Sequence, residues 1–187
     1  MQTQIEQYMK EHKKTLADFE RTAAKNLGQA ADMILECFKG GHILYLCGNG
    51  GSAADCQHIA GEFVGRFRRE RKAKPAVALT TDSSVLSCIG NDYSYEDIFR
   101  RQVEGLCREG DVLWAFSTSG TSKNIIAAAK QAIAQGTKVI AFTGKKDSIL
   151  EQMSQICVCA ESQMTSIAQE MHQIAYHIIC DIVESRL

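Results

Sequence analysis

The sequence predicts a three-layer α/β sandwich: a five-stranded parallel sheet between layers of helices, with further helices ahead of the first strand. Three observations lead there. Short wholly apolar runs such as "HILYL" and "DVLWAF" alternate with stretches whose apolar residues recur at helical spacing. Strands apolar on both faces need cover on both faces, which helices flanking a parallel sheet provide. Glycine and hydroxyl residues crowd directly behind two of the runs, where a strand must turn into a helix.

The elements follow in order. Residues 3–39 carry apolar positions at helical spacing (Ile5, Met9, then Ala30, Met33, Ile34, Cys37, Phe38) and end at "KGG", a helix stop. Two helices are therefore expected within residues 1–40, ahead of an α/β core over 41–187. The core opens with "HILYLCG" as a strand and "SAADCQHIAGEFVGRF" as a helix. "AVALT" is the second strand, followed by a helical segment over about 83–107. "DVLWAFS" precedes the helix "SKNIIAAAKQAIAQG", "KVIAFTG" precedes "SILEQMS", and "QICVCA" precedes a last helix from Thr165 to Arg186. Strand and helix alternating in this way read as right-handed βαβ units, the arrangement of flavodoxin-like sheets. No linker, repeat or low-complexity stretch interrupts the chain, so 1–187 is expected to be a single domain.

Composition narrows the function. With 21 Lys and Arg against 22 Asp and Glu, the formal net charge of −1 provides no basic field for nucleic acid, which is not an expected partner. The polar N-terminus has no apolar signal region and no run is long enough to cross a bilayer, so a cytoplasmic protein without membrane contact is expected. Most of the eight cysteines lie in apolar segments (Cys37, Cys88, Cys107, Cys180) and read as reduced, buried thiols. Cys157 and Cys159 alternate as strand residues and do not form a C-x-x-C pair.

In parallel sheets ligands bind beyond the carboxyl ends of the strands, so the two Gly/Ser turns carry the functional signal. Gly48 to Ala53 satisfies G-x-G-x-x-A, a permissive dinucleotide fingerprint. That reading needs an acidic residue about 20 positions on. Asp82 lies more than 30 residues beyond Gly48, past a strongly basic stretch, and a dinucleotide is not expected. What remains is an anion turn: glycines admit a close ligand, and the following helix offers free N–H groups. "STSGTS", Ser117 to Ser122, stands at the equivalent place behind "DVLWAF" with five hydroxyls around one glycine. Neither turn ends in the Gly-Lys-Ser/Thr of a triphosphate loop. The two together imply a phosphate monoester.

Chemical groups surround these turns. His58 and Glu62 lie four apart on one helix face, a spacing suited to an acid–base pair, half of a metal site or a surface ion pair. The last helix holds Gln169, His172, Gln173 and His177. The two histidines are about 140° apart, so at most one faces a given pocket, and periodicity does not say which. Asn91 and Asp92 in "IGNDYSYED" offer polar groups to sugar hydroxyls.

Taken together, "CGNGGSAADCQHIAGEF", "ALTTDSSVLSCIGNDY", "GDVLWAFSTSGTSKNII" and "QEMHQIAYHI" resemble the phosphoheptose isomerases of the sugar isomerase (SIS) domain family, from about Lys39 to the C-terminus. The resemblance implies a cytoplasmic homotetramer that converts D-sedoheptulose 7-phosphate to D-glycero-D-manno-heptose 7-phosphate through an enediol or enediolate. That is the first step towards ADP-heptose and GDP-heptose for bacterial surface polysaccharide, including lipopolysaccharide. It implies substrate contacts from Asn49, Gly50, Gly51, Ser52, Glu62, Asn91, Asp92, Ser117, Thr118, Ser119, Ser122 and Gln169. Glu62 matches the family's catalytic glutamate and His177 its catalytic histidine. One Zn2+ per subunit is implied, at positions matching His58, Glu62, Gln169 and His177.

Two departures stand out. Ile167 occupies a position where the family commonly has arginine, and "TGKKDSILEQ" lacks the glycine pair that often follows this strand. A non-catalytic alternative is also implied, because some similar SIS proteins bind a replication initiator. Those proteins have replaced the glutamate and final histidine, both of which this chain keeps.

Overall fold

A computed structural model describes all 187 residues of the chain. It begins with α1 (Gln2–Lys39), a single 38-residue helix. The two helices expected within 1–40 are thus one. The weakest helix former inside the run is Gly28, and open space surrounds the position of its missing Cβ. One glycine costs a helix interior about 1 kcal/mol, well short of a break. The helix stops at "KGG", where Gly41 adopts φ 75°.

The remaining elements alternate as expected: β1 (Leu44–Cys47), α2 (Gly51–Val64), β2 (Ala76–Ala78), α3 (Ser83–Asp92), a 3₁₀ turn (Tyr95–Asp97) and α4 (Arg100–Leu106). They continue with β3 (Val112–Ser117), α5 (Lys123–Ala134), β4 (Lys138–Thr143), α6 (Ile149–Met153), β5 (Ile156–Cys159) and α7 (Thr165–Ser185). All five strands are parallel, in the order β2-β1-β3-β4-β5.

Alternation along each strand supplies two cores. Leu44, Leu46, Val112, Trp114, Phe116, Ile140 and Phe142 face α1, α2 and α7. Tyr45, Cys47, Leu113, Ala115, Val139 and Ala141 face α3 to α6. Leu44, Leu46, Leu113 and Trp114 are fully buried, as strands covered on both sides require. All eight cysteines are free thiols; Cys88 is exposed, and burial holds Cys37 and Cys107 up at about 12. No helix is long and apolar enough to cross a membrane.

The strand order places the site. Chain progression reverses between β1 and β3, and in open α/β sheets the crevice at such a reversal is where ligands bind. β1 and β3 are hydrogen-bonded neighbours with Cys47 opposite Ala115, so the turns that follow them emerge side by side.

Candidate active site

The first turn owes its shape to two glycines. Gly50 caps α2 at φ 56°, in the region that L side chains rarely occupy. At Gly51 a Cβ would stand 2.7 Å from the Gln169 carboxamide, so α7 reaches this turn only because no side chain intervenes. Ser52 is not the cap; it is buried in the first turn of the helix. Asp82, the residue a dinucleotide would need, instead caps α3 by accepting the Val85 N–H at 2.9 Å.

The second turn is knit from its own hydroxyls. Ser117 Oγ donates to Ser122 Oγ at 2.9 Å, and Ser119 Oγ accepts from the Thr121 N–H and hydroxyl at 3.2 and 3.1 Å. Gly120 turns the chain at φ 66°. The Thr118 carbonyl accepts the Gly144 N–H at 2.9 Å, anchoring the turn to the end of β4. α5 starts immediately behind; the Ser122 side chain does not cap its positive end, and Asn124 Oδ1 accepts the Ile125 N–H at 3.0 Å.

The turns are joined by a residue that sequence reading missed. The Asn49 and Asn124 carboxamides form a reciprocal pair, at 2.9 and 2.8 Å, and Tyr95 donates a third bond to Asn49 Oδ1 at 3.1 Å. Much of the hydrogen-bonding capacity of Asn49 thereby goes to holding the turns together. Asn124 is buried inside α5 and reads as an ordinary helical polar residue; only its meeting with Asn49 gives it a role.

α2 and α7 bring the chemical groups together. His58 Nε2 lies 3.0 Å from Glu62 Oε1, and the His58 and His177 rings are 5.1 Å apart. One donor atom from each of His58, Glu62 and His177 lies within 4.8 Å of the others. His172 points the other way. It is fully buried against Phe142, and its Nε2–H donates to the Thr143 carbonyl at 2.9 Å. Packing thus settles what helical spacing left open.

Electrostatics distinguish the members. Burial and the neighbouring His58 push His177 below the usual imidazole range despite Glu62, leaving its ring neutral near pH 7. Burial raises the Asp55 carboxyl to about 6, against the lowering effects of His58 and the nearby Tyr176 hydroxyl. The Tyr176 hydroxyl meets His58 Nδ1 at 3.0 Å.

A clamp holds the open end of the cluster. The Glu184 carboxylate accepts the N–H groups of Phe67, Arg68 and Arg69 at 2.9, 2.7 and 2.9 Å, and Arg71 approaches it at 3.4 Å. Arg71 also donates to the Glu62 carbonyl at 2.6 Å, fixing the end of α2. This seats Phe67 on the His177 ring, stacked at 5.6 Å.

The remaining sequence candidates fall elsewhere. Asn91 and Asp92 end α3, exposed and bonded to each other at 2.8 Å. Ile167 is buried, so no cation stands at that position of α7. Asp147, in the stretch without the glycine pair, adopts φ 55°, a conformation Asp tolerates better than most residues. A cleft of 410 Å³ between α1 and the β5–α7 connection is lined by none of the expected site residues.

Two imidazoles and a carboxylate form a donor set that suits Zn2+. Gln169, the fourth expected ligand, lies eight residues before His177, about 12 Å back along the helix axis, with its carboxamide at the first turn.

Comparison with known proteins agrees with this arrangement. Residues 7–144 match the SIS domain family. A phosphoheptose isomerase of a Roseiflexus species is 49% identical over 89% of this chain and 84% of its own. One from Geobacter metallireducens is 42% identical over 100% and 99%. The solved phosphoheptose isomerase of Neisseria gonorrhoeae superposes with a TM-score of 0.93 at 37% identity, covering 98% of each chain. That of Francisella tularensis gives 0.94 at 32%, covering 98% and 97%. With the reversal of strand order, the paired turns and identity of this extent in agreement, the chain belongs to the SIS domain family, among its phosphoheptose isomerases.

Proposed function

We propose that this protein is an aldose–ketose isomerase converting D-sedoheptulose 7-phosphate to D-glycero-D-manno-heptose 7-phosphate. The observation that carries the reading is the convergence of His58, Glu62 and His177 in a chain 42–49% identical to phosphoheptose isomerases. The hydroxyl-rich turn at 117–122 and the glycine turn at 48–53 would take the phosphate and the adjoining sugar. Hydroxyls, backbone N–H groups and a helix start suit a monoester dianion without a bound cation.

The reaction moves one proton between carbons and one between oxygens. Glu62 would take the C1 proton of the ketose, giving an enediolate, and return it to C2. His177 would relay the hydroxyl proton from O1 to O2. A ring held neutral suits this role, since it can donate at one nitrogen and accept at the other. Phe67 stacked on that ring limits its rotation and excludes water from one face. His58 orients the Glu62 carboxylate through their 3.0 Å contact.

We also propose one Zn2+ per subunit, held by His58, Glu62 and His177, with Gln169 as the fourth ligand implied by family resemblance; Glu62 and His177 would have to leave the ion in order to carry protons. When bound, it would polarise the substrate oxygens and stabilise developing negative charge. A single domain, a cytoplasmic homotetramer and a role at the start of heptose supply for surface polysaccharide belong to the same proposal. Ile5, Met9 and Leu16 on α1 and Ile174 and Ile178 on α7 are exposed apolar residues that subunit contacts would cover.

The test is direct assay of purified protein with sedoheptulose 7-phosphate beside shorter ketose phosphates. Turnover of the heptulose phosphate is expected, with a loss of about 100-fold or more in Glu62→Gln. No turnover by the wild type would remove the proposed activity, and full activity in the variant would remove the base.

A further inference from the structure

We propose that Tyr176 is the positioning residue of His58: its hydroxyl sets the tautomer and orientation of the imidazole, so that Nε2 is the nitrogen turned to Glu62 and the donor cluster. Asp55 completes the device as a second acceptor for that hydroxyl.

The His58 side chain is 44% exposed, with the Tyr176 and His177 rings packed edge-on against it. Two polar contacts define it, Glu62 Oε1 at Nε2 and the Tyr176 hydroxyl at Nδ1, each at 3.0 Å. Of these partners Tyr176 is the fixed one. It is fully buried among the apolar side chains beneath α1, α2 and α7. Glu62 ends in a carboxylate on a flexible stem: it accepts from the nitrogen turned towards it but does not fix which nitrogen that is, and the buried phenol does.

Asp55 is the independent observation. It lies one turn before His58 on α2, beside the Tyr176 hydroxyl, and its Oδ2 is buried without a hydrogen-bond partner. A buried carboxylate oxygen left unpaired is costly, and here it lies where a turned phenol could meet it.

A hydroxyl both donates and accepts, which suits it to the two demands on His58. In the metal-free chain Nε2–H donates to Glu62 while Nδ1 accepts the Tyr176 O–H. With a divalent cation at Nε2, the ring proton lies on Nδ1 and donates to the Tyr176 oxygen, and the phenolic O–H turns to Asp55 Oδ2. The ring is neutral in both arrangements and the number of protons is unchanged. Ligating histidines generally hold their second nitrogen on such a partner. Phenylalanine would supply no contact, and a carboxylate in its place could only accept.

This assignment rests on reading the cluster as the reacting and metal-holding centre, but the tautomer can be read without either property. The experiment compares wild type, Tyr176→Phe and Asp55→Asn. 15N NMR of labelled histidine reports the His58 tautomer in metal-free protein. Calorimetric zinc titration against a competing chelator reports affinity, and thermal unfolding checks the fold.

Wild type is expected to show the Nε2–H form and Tyr176→Phe a mixture of both tautomers. Zinc affinity should fall about 10- to 100-fold in Tyr176→Phe with the fold retained. Asp55→Asn should keep the wild-type tautomer without metal yet bind zinc more weakly. A Tyr176→Phe protein with the wild-type tautomer and zinc affinity would overturn the assignment. If wild type takes up no zinc, the tautomer comparison decides alone. Lack of isomerase turnover would remove the proposed activity and leave the tautomer result standing, so the two readings fail separately.

Discussion

Replacing His172 with glutamine should make the protein less stable at neutral pH and remove one source of its acid sensitivity. His172 is fully buried, its Nε2–H donates to the Thr143 carbonyl at 2.9 Å, and its Nδ1 has no partner. Its surroundings, Phe116 and Phe142, carry no charge, and burial pushes the ring down to about 4 against the pull of the backbone bond. An unfolded histidine titrates near 6.5. Between these values the unfolded chain holds a proton that the folded chain refuses, so stability falls as pH drops through this window. The linkage is about 2 kcal/mol between pH 7 and pH 5, rising to about 3 near pH 4.

Asp55 acts with the opposite sign, since a carboxyl raised to about 6 takes up its proton first in the folded state. The wild-type curve alone is therefore a poor readout, and the difference between proteins is the useful quantity. Urea unfolding of wild type and His172→Gln at pH 7 and pH 5, at one protein concentration, provides it. The variant should be about 1–3 kcal/mol less stable at pH 7, with the gap narrowing by about 2 kcal/mol at pH 5. A gap that stays constant would refute the account of His172 as a neutral buried donor.

Two further outcomes concern the supports of the site. Glu184→Ala should cost about 1–3 kcal/mol in urea unfolding, because it removes the acceptor of three backbone donors and the charge partner of Arg71, which keeps its carbonyl bonds. It should also make Arg68 and Arg69 more open to trypsin. Burial raises the Glu184 carboxyl, but the backbone donors and Arg71 outweigh it and leave the group below its usual range. Its contribution is therefore present above the unfolded value of about 4.3 and is lost as pH falls below it; pH scans of the two proteins should converge in acid. Gly120→Ala forces a side chain into φ 66°, with its Cβ 2.2 Å from that of Ser148. It should cost about 1–2 kcal/mol and raise KM for the sugar phosphate more than it lowers kcat. An unchanged KM would separate this turn from the phosphate.

Much of this protein is legible from spacing alone. The wholly apolar runs mark β1 to β5 because strands covered on both faces have no wet side. The i,i+4 spacing of His58 and Glu62 places them on one face of α2 whatever surrounds it. The glycines of 48–51 and the hydroxyls of 117–122 announce two turns at the ends of β1 and β3. Family resemblance added the choice of His177, which periodicity left open beside His172.

Tertiary structure decided which faces meet. Gly28 gave no local sign of whether α1 breaks; the helix continues because its apolar face is buried on both sides of that residue, which outweighs the cost of one glycine. The turns at 48–53 and 117–122 are 64 or more residues apart in sequence, and only the order β2-β1-β3-β4-β5 sets them side by side. Asn124, Tyr176, Asp55 and Glu184 read singly as ordinary helical residues. They acquire roles from partners that packing delivers: Asn49 to Asn124, His58 to Tyr176, and the 67–69 backbone to Glu184. Periodicity specifies the direction of a side chain from its own helix. The group waiting there depends on how α2, α5 and α7 settle on the sheet, which is a property of the whole core.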